Sequence, residues 1–477
     1  MVALGVRRRW PLAACAVTLL LLGACSPQDP SGDTAAPAVG NVVILCLDTL
    51  RVDHLGAYGY ERDTSPNIDA LAAQGALFEL TQAQSNWTVP ATASLLTALY
   101  PSSHGAGLQG DVRQLAADTP PGQIRKEALT LGEILHEAGF GTGLFSANPF
   151  LYGRFKAGFD VAEVGRRNAT ELTNLALGWL QGVHQEPFFL YLQYMDLHQP
   201  IEPPDPYFNY FEVTEGGTRG KEHTDWSFGQ QVDLEDPAFK RFRAHRVALY
   251  DGALRYVDAE VGRLLERLAQ LGVAERTLVI VTSDHGEEFW DHAGIERELG
   301  GDPRGIWGVG HGHAMFQELL HVPLIFHGPG IGAGKRIECA SRHLDVAPTV
   351  LSLLGQPERT GMRGRSLAPF LRPDPRPALC EPVALVAESP AYGPDSQALI
   401  WKGRKLIVRQ DGVALLYDLR RDPLERTDLS ASQPEVVKAL RLLLARELSE
   451  TAPAGASESL PFDEETRRQL ESLGYIR

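Results

Sequence analysis

Positive charge is in short supply in this 477-residue chain: 45 Lys and Arg stand against 60 Asp and Glu, a formal net charge of −15. No basic stretch offsets that balance, and aromatics are not interleaved with Lys and Arg, which argues against nucleic acid as a partner. Cysteine is also sparse. The five cysteines form no CxxC pair, so a thiolate-rich metal site is excluded. Apolar runs long enough to span a bilayer are missing as well: the N-terminal one, Leu12 to Leu22, is too short. There is no internal repeat. What remains is an ordinary globular composition, 44% hydrophobic and 22% charged, sufficient for one large domain with an appendage or for two domains.

The N-terminus reads as a targeting segment. Arg7, Arg8 and Arg9 precede the apolar run, which serves as a signal-peptide core. It ends in Leu22-Gly23-Ala24-Cys25, similar to a bacterial lipobox, so cleavage is expected before Cys25, with acylation of that cysteine and membrane attachment through it. Ser26 at the next position resembles the pattern sorted to the outer membrane, facing the periplasm. Residues 25–40 are rich in Pro, Gly, Ala and Ser and form a flexible tether. Cys15 leaves with the signal, Cys46 lies in an apolar strand, and an exported protein can join Cys339 to Cys380.

From Asn41 onward the pattern is α/β. "NVVILCLD" is a continuous apolar run ending in a carboxylate, as expected of a strand buried on both faces. "GTGLFSA", "PFFLYLQYMD", "TLVIVTSD" and "VPLIFHG" repeat the theme. Between them lie helical stretches such as "PNIDALAAQGALF", closed by Gly75, and "YDGALRYVDAEVGRLLERLAQLG". The alternation predicts a mostly parallel, doubly wound sheet over 41–376. The aperiodic stretch 207–245 reads as an insertion over the active face. Residues 377–477 read as a small antiparallel subdomain with one helix from Pro434 to Glu450.

Ligands of open α/β sheets bind beyond the carboxyl ends of the strands. Asp48, Asp196 with His198, and Asp284 with His285 all follow strands. Carboxylates and imidazole suit a divalent cation, which would neutralise their mutual repulsion. Thr88, in "SNWTVPATASLLTALYPSSHG", could complete the set with a hydroxyl. Its position before Val89-Pro90 and an apolar helix also suits a plain helix cap.

Seven segments carry a resemblance: "LDTLRVDHLGAYGY" (47–60), "SPNIDALAAQG" (65–75), "TVPATASLLTALYPSSHG" (88–105), "SDHGEEF" (283–289), "GHGHAMFQELLHVPLIFHGPG" (310–330), "DVAPTVLSLLG" (345–355) and "LYDLRRDPLERTDL" (416–429). In this order they resemble the sulfatase family of the alkaline phosphatase superfamily. The resemblance implies an alkaline-phosphatase-like α/β/α sandwich with a C-terminal antiparallel α+β subdomain. It also implies a metal-dependent ester hydrolase or transferase.

Carried over by position, the resemblance makes Asp48, Thr88, Asp284 and His285 the metal ligands and Thr88 the nucleophile, helped by its helix N-terminus. His198 and His311 are the catalytic histidines. Substrate contacts fall to His198, His311, His313 (the alternative should the alignment slip by two) and Asn86. Where the family has Cys or Ser, matured to formylglycine, this chain has Thr88. It has Thr92 for an Arg and Thr49 for a second ligand Asp. A formylglycine hydrate sheds sulfate by elimination, whereas a threonine ester must be opened by water, as phosphoenzymes are. The expectation is therefore a phosphate or phosphonate ester. The expected ion is zinc or manganese before calcium, with room for a second ion at His198 and His311. The alternatives are a sulfuric ester hydrolase using threonine directly, and a non-catalytic lipoprotein binding an anionic glycan or lipid. The substrate would be a small-molecule, lipid or glycan ester.

Overall fold

Eight strands form the central sheet of the computed structural model, which describes residues 39–211 and 233–476 apart from 109, 111, 117, 301, 374–378, 450–456 and 474. The signal segment, Cys25 and the tether up to residue 38 lie outside the described residues, as does 212–232 of the expected insertion. In chain order the strands are β1 Asn41–Leu47, β2 Ala76–Phe78, β3 Gly141–Ser146, β4 Val161–Val164, β5 Phe188–Tyr194, β6 Thr277–Thr282, β7 Leu324–His327 and β8 Lys335–Ile337. Across the sheet they run β8-β2-β7-β6-β1-β5-β3-β4. Only β7 is antiparallel to its neighbours; the other pairings are parallel.

The three central strands β5, β1 and β6 are buried at every residue, which is why they read as unbroken apolar runs. Their register sets Cys46 opposite both Gln193 and Thr282. The residues that follow β1 and β6 therefore emerge side by side, at one level of the sheet.

Helices cover both faces. One group comprises α1 Pro66–Gln74, α4 Ala169–Val183 and α5 Pro237–Gln270; the other comprises α2 Thr88–Thr97, α3 Leu131–Glu137 and α6 Val346–Leu353. α1 stops at Gly75, where a Cβ would lie 2.1 Å from the Phe326 carbonyl oxygen of β7. The "ALF" that follows is strand β2. α5 begins at Pro237 rather than at Tyr250, so the end of the expected 207–245 insertion is helical. Asp236 caps it by accepting from the Ala238 amide (2.6 Å), with Pro237 in its first turn. Lys240 and Arg241 of that first stretch are exposed and hid the apolar period, while Phe239 packs against Trp290 with ring centroids 5.2 Å apart.

The second sheet is antiparallel: β9 Leu385–Glu388, β10 Ser396–Trp401, β11 Arg404–Arg409 and β12 Ala414–Asp418, in that order. One face of it buries Val386, Leu399, Leu406 and Leu416 against Leu440 and Leu444 of α7 Pro434–Ser449. The chain then returns to the main core through α8 Glu464–Ser472, and Leu470, Tyr475 and Ile476 are buried there. Cys339 and Cys380 form a disulfide, and Cys46 is free and buried. Among the described residues no helix is long and apolar enough to cross a membrane.

Candidate active site

The carboxyl ends of β1 and β6 bring Asp48, Asp284 and His285 together, each with no exposed surface. One ligand atom from each lies within 4.8 Å of the others. His285 Nε2 is 3.6 Å from Asp284 Oδ2 and 3.9 Å from Asp48 Oδ1. The tautomer of His285 follows from its other nitrogen: Nδ1 lies 2.8 Å from the Gly286 carbonyl, which can only accept, so Nε2 presents its lone pair to the carboxylates.

Thr88 joins this group, and its helix-cap reading is corrected. It is the first residue of α2, not the residue before it; Trp87 occupies the cap position in extended conformation, and no side chain caps the helix. The Thr88 hydroxyl is instead 3.5 Å from Asp48 Oδ2 and 3.4 Å from His285 Nε2. The N-terminus of α2 adds positive potential where an anionic group would sit.

Two amides missed by the sequence reading complete the cluster. Asn148, just beyond β3, donates from Nδ2 to Asp48 Oδ2 (2.7 Å) and to Thr88 Oγ1 (3.0 Å). Gln193 of β5 donates from Nε2 to Asp48 Oδ2 (3.0 Å) and Asp284 Oδ2 (3.3 Å). A lone glutamine inside "FFLYLQYM" was the available signal. Thr49 holds the left-handed backbone conformation (φ 60°), which a β-branched residue rarely adopts. Its hydroxyl turns back to the Asp48 carbonyl at 2.7 Å. The loop is pinned from α5, where the Tyr250 hydroxyl donates to the Thr49 carbonyl and accepts from the Arg51 amide, both at 2.8 Å.

Burial and the neighbouring Asp284 push the Asp48 carboxyl up to about 8, and burial pushes Asp284 up to about 7. Burial holds His285 below its ordinary value. Asp48 Oδ1 is buried with no hydrogen-bond partner. Two carboxylates, one imidazole lone pair and a hydroxyl facing one point, with one oxygen left unpaired, fit a divalent cation.

His198 and His311 stand beside this group. The ring centroid of His311 is 4.4 Å from that of His285 and 4.9 Å from that of His198. Between the two Nε2 atoms lies the hydroxyl of Tyr475, a residue the sequence reading did not single out: it is 2.6 Å from His198 and 3.1 Å from His311. His313 is not brought into the group. Its Nε2 sits between Glu288 Oε2 (3.1 Å) and Glu296 Oε2 (3.2 Å), whose charges raise its pKa well above the ordinary value despite burial. Asn86 donates to the Ala314 carbonyl (2.6 Å) and accepts the Gly312 amide through its own carbonyl (3.0 Å), so it holds the loop that carries His311. Asp196 accepts the first amide of α4, from Ala169, at 3.0 Å.

Comparison with known proteins places this constellation in context. The family profile described as Sulfatase matches residues 40–356. N-sulphoglucosamine sulphohydrolase of Homo sapiens is 30% identical over 393 residues, covering 76% of this chain and 70% of the human protein. An arylsulfatase of Clostridium perfringens is 24% identical over 477 residues, covering 86% and 94% of the two chains. The crystal structure of the phosphonate monoester hydrolase of Agrobacterium radiobacter has the same fold, with a TM-score of 0.67 at 20% identity over 87% of this chain and 96% of that one. The chain therefore belongs to the sulfatase family of ester hydrolases.

Proposed function

We propose that the protein is a metal-dependent hydrolase of this family in which the Thr88 hydroxyl attacks phosphate or phosphonate esters. The observation that carries the reading is the placement of Thr88 Oγ1 at the end of α2, within 3.5 Å of both Asp48 and His285 and held by the Asn148 amide at 3.0 Å. Asp48, Thr88, Asp284 and His285 would hold the ion, which when bound lowers the pKa of the hydroxyl and offsets charge on the transferred group. One imidazole among oxygen donors favours zinc or manganese over calcium.

The rest is done by the chain itself. Asn148 donates to Thr88 Oγ1, which leaves the hydroxyl proton free to pass to Asp48 Oδ2 as the oxygen attacks. The bond from phosphorus to the ester oxygen breaks, the leaving alkoxide takes a proton from the histidine pair, and a phosphothreonine remains. Water then attacks the same phosphorus, giving phosphate and restoring the hydroxyl; an alcohol in place of water makes the reaction a transfer. Threonine has no elimination exit of the formylglycine kind, so a sulfothreonine would persist. The sulfatase names of the relatives favour the second reading, a sulfuric ester hydrolase. By its N-terminal sequence we place the enzyme in the bacterial envelope, anchored through Cys25, with a small-molecule, lipid or glycan ester as substrate.

The test is a panel of aryl phosphate mono- and diesters, an aryl phosphonate and the matching aryl sulfate, with protein loaded with zinc or manganese. Phosphorus esters are expected to turn over faster. Faster turnover of the sulfate would replace this reading with the second one.

A further inference from the structure

We infer that Tyr475 is a positioning residue of the active site, whose hydroxyl holds His198 and His311 in complementary proton states: His198 with Nε2 bare, His311 with an Nε2–H. The inference deepens the proposed function and rests on it for the roles of the two histidines.

Hydrogen-bond accounting leads to it. His198 Nδ1 lies 2.6 Å from the Gln199 carbonyl, which can only accept, so Nδ1 carries the hydrogen. With His198 buried and neutral, Nε2 is a lone pair, and the Tyr475 hydroxyl 2.6 Å away must donate to it. A phenol has one hydrogen. The contact of 3.1 Å between Tyr475 Oη and His311 Nε2 is then a hydrogen bond only if His311 Nε2 donates. Glu287 Oε1 faces the other nitrogen of His311 at 3.2 Å, and with the ring's hydrogen on Nε2 the bare Nδ1 accepts from the Glu287 carboxyl, which burial keeps protonated above the ordinary carboxylate range. Burial alone treats the two histidines alike. The tyrosine, which can donate only once, makes them different, and unlike neighbours are what acid–base chemistry in two directions requires.

Tyr475 is placed firmly enough for this. It is 6% exposed, and its ring meets Phe150 edge-on with centroids 4.8 Å apart, two residues from Asn148. Its amide donates to the Leu470 carbonyl (3.1 Å) and its carbonyl accepts the Tyr392 hydroxyl (3.2 Å). Proton balance closes through the same atom. The leaving oxygen takes the Nε2 proton of His311 while Nδ1 takes that of the Glu287 carboxyl, so the ring stays neutral, and the attacking water later gives a proton to His198 Nε2. Tyr475 then accepts that proton from His198 while passing its own to His311 Nε2, and Nδ1 returns its proton to Glu287, which restores the starting state.

Tyr475→Phe in the full chain tests this, since it keeps the ring and removes only the hydroxyl. With zinc-loaded protein and an alkyl phosphoester, kcat is expected to fall by about 10- to 100-fold with KM changed less than about threefold. The loss should be smaller for a para-nitrophenyl ester, whose leaving group needs no proton. Heteronuclear NMR of nitrogen-labelled histidines, assigned with His198→Gln and His311→Gln, reads the tautomers without turnover. The wild type should show His198 protonated at Nδ1 only and His311 at Nε2, and the Phe variant should lose that fixed pairing. An unchanged tautomer pattern in the variant overturns the inference. So does an unchanged or raised kcat, which would mark the segment as a plug. If the wild type turns over no ester at all, the proposed function fails, and the NMR result still decides for or against Tyr475.

Discussion

Thr88 has no exposed surface, and every partner of its hydroxyl is a group of the candidate site. Thr88→Val keeps the shape of the side chain and removes nucleophile and ligand together, so turnover is expected to fall by about 10³ or more, while Thr88→Ser retains a measurable fraction. Steady-state rates on the best ester of the panel check both; near-normal activity in the Val variant would leave attack by water alone. Asp48, Asp284 and His285 were legible because each follows an unbroken apolar run, where a charged group needs a reason to be. Asn148 and Tyr475 were not, and Gln193 showed only as a lone polar residue in an apolar strand. Their roles come from strand register and from a segment that returns across the molecule. Thr88 itself was half legible: the helix start was visible, but not that Trp87 takes the cap position and frees the hydroxyl for chemistry.

The elements that matter most are those that hold loops. α5 fixes the loop after β1 through Tyr250, and its Asp251 accepts from Tyr60 and Arg62 (both 2.7 Å) and meets His54 at 2.6 Å. Most polar residues of "LDTLRVDHLGAYGY" are thus structural, and only its aspartate at the strand end reaches the site. The segment after β6 is held likewise. His292 stacks on Phe316 with centroids 3.7 Å apart and bonds Glu318 at 2.5 Å. Burial works against its protonation, but the hydrogen bond and charge of Glu318, with Glu425 and Glu288, raise its pKa to about 9. The folded value lies above an unfolded value of about 6.5, so this stabilisation is complete below about pH 6.5 and is lost as pH rises through about 9. Thermal unfolding across that range should show a decline worth about 3 kcal/mol in the wild type, much flattened in His292→Gln. An equal decline in both would assign it elsewhere. Five of the eight strands were readable as apolar runs between helical periods; the short edge strands β4 and β8 carry no such run, and β2 was read into the helix that precedes it. The start of α5 was not readable, because its exposed Lys240 and Arg241 masked the period.

At the scale of the whole molecule, the disulfide between Cys339 and Cys380 agrees with an exported protein. The anchor is tested directly. Wild-type protein is expected to fractionate with membranes and to carry acyl chains on Cys25, whereas Cys25→Ala should appear in the soluble exported fraction. Unchanged fractionation of the variant would count against lipidation. One further consequence follows from where the site's parts lie along the chain. Asp48, Thr88, Asn148, Gln193, His285, His311 and Tyr475 come from widely separated segments, so nearly every contact in the site closes a long loop. The tyrosine that distinguishes the two histidines lies 164 residues beyond His311, so no fragment that stops short of α8 holds the whole set. A chain in which α8 has not yet docked lacks the hydroxyl between the two histidines and is chemically silent, so competence would arrive as one late event of folding.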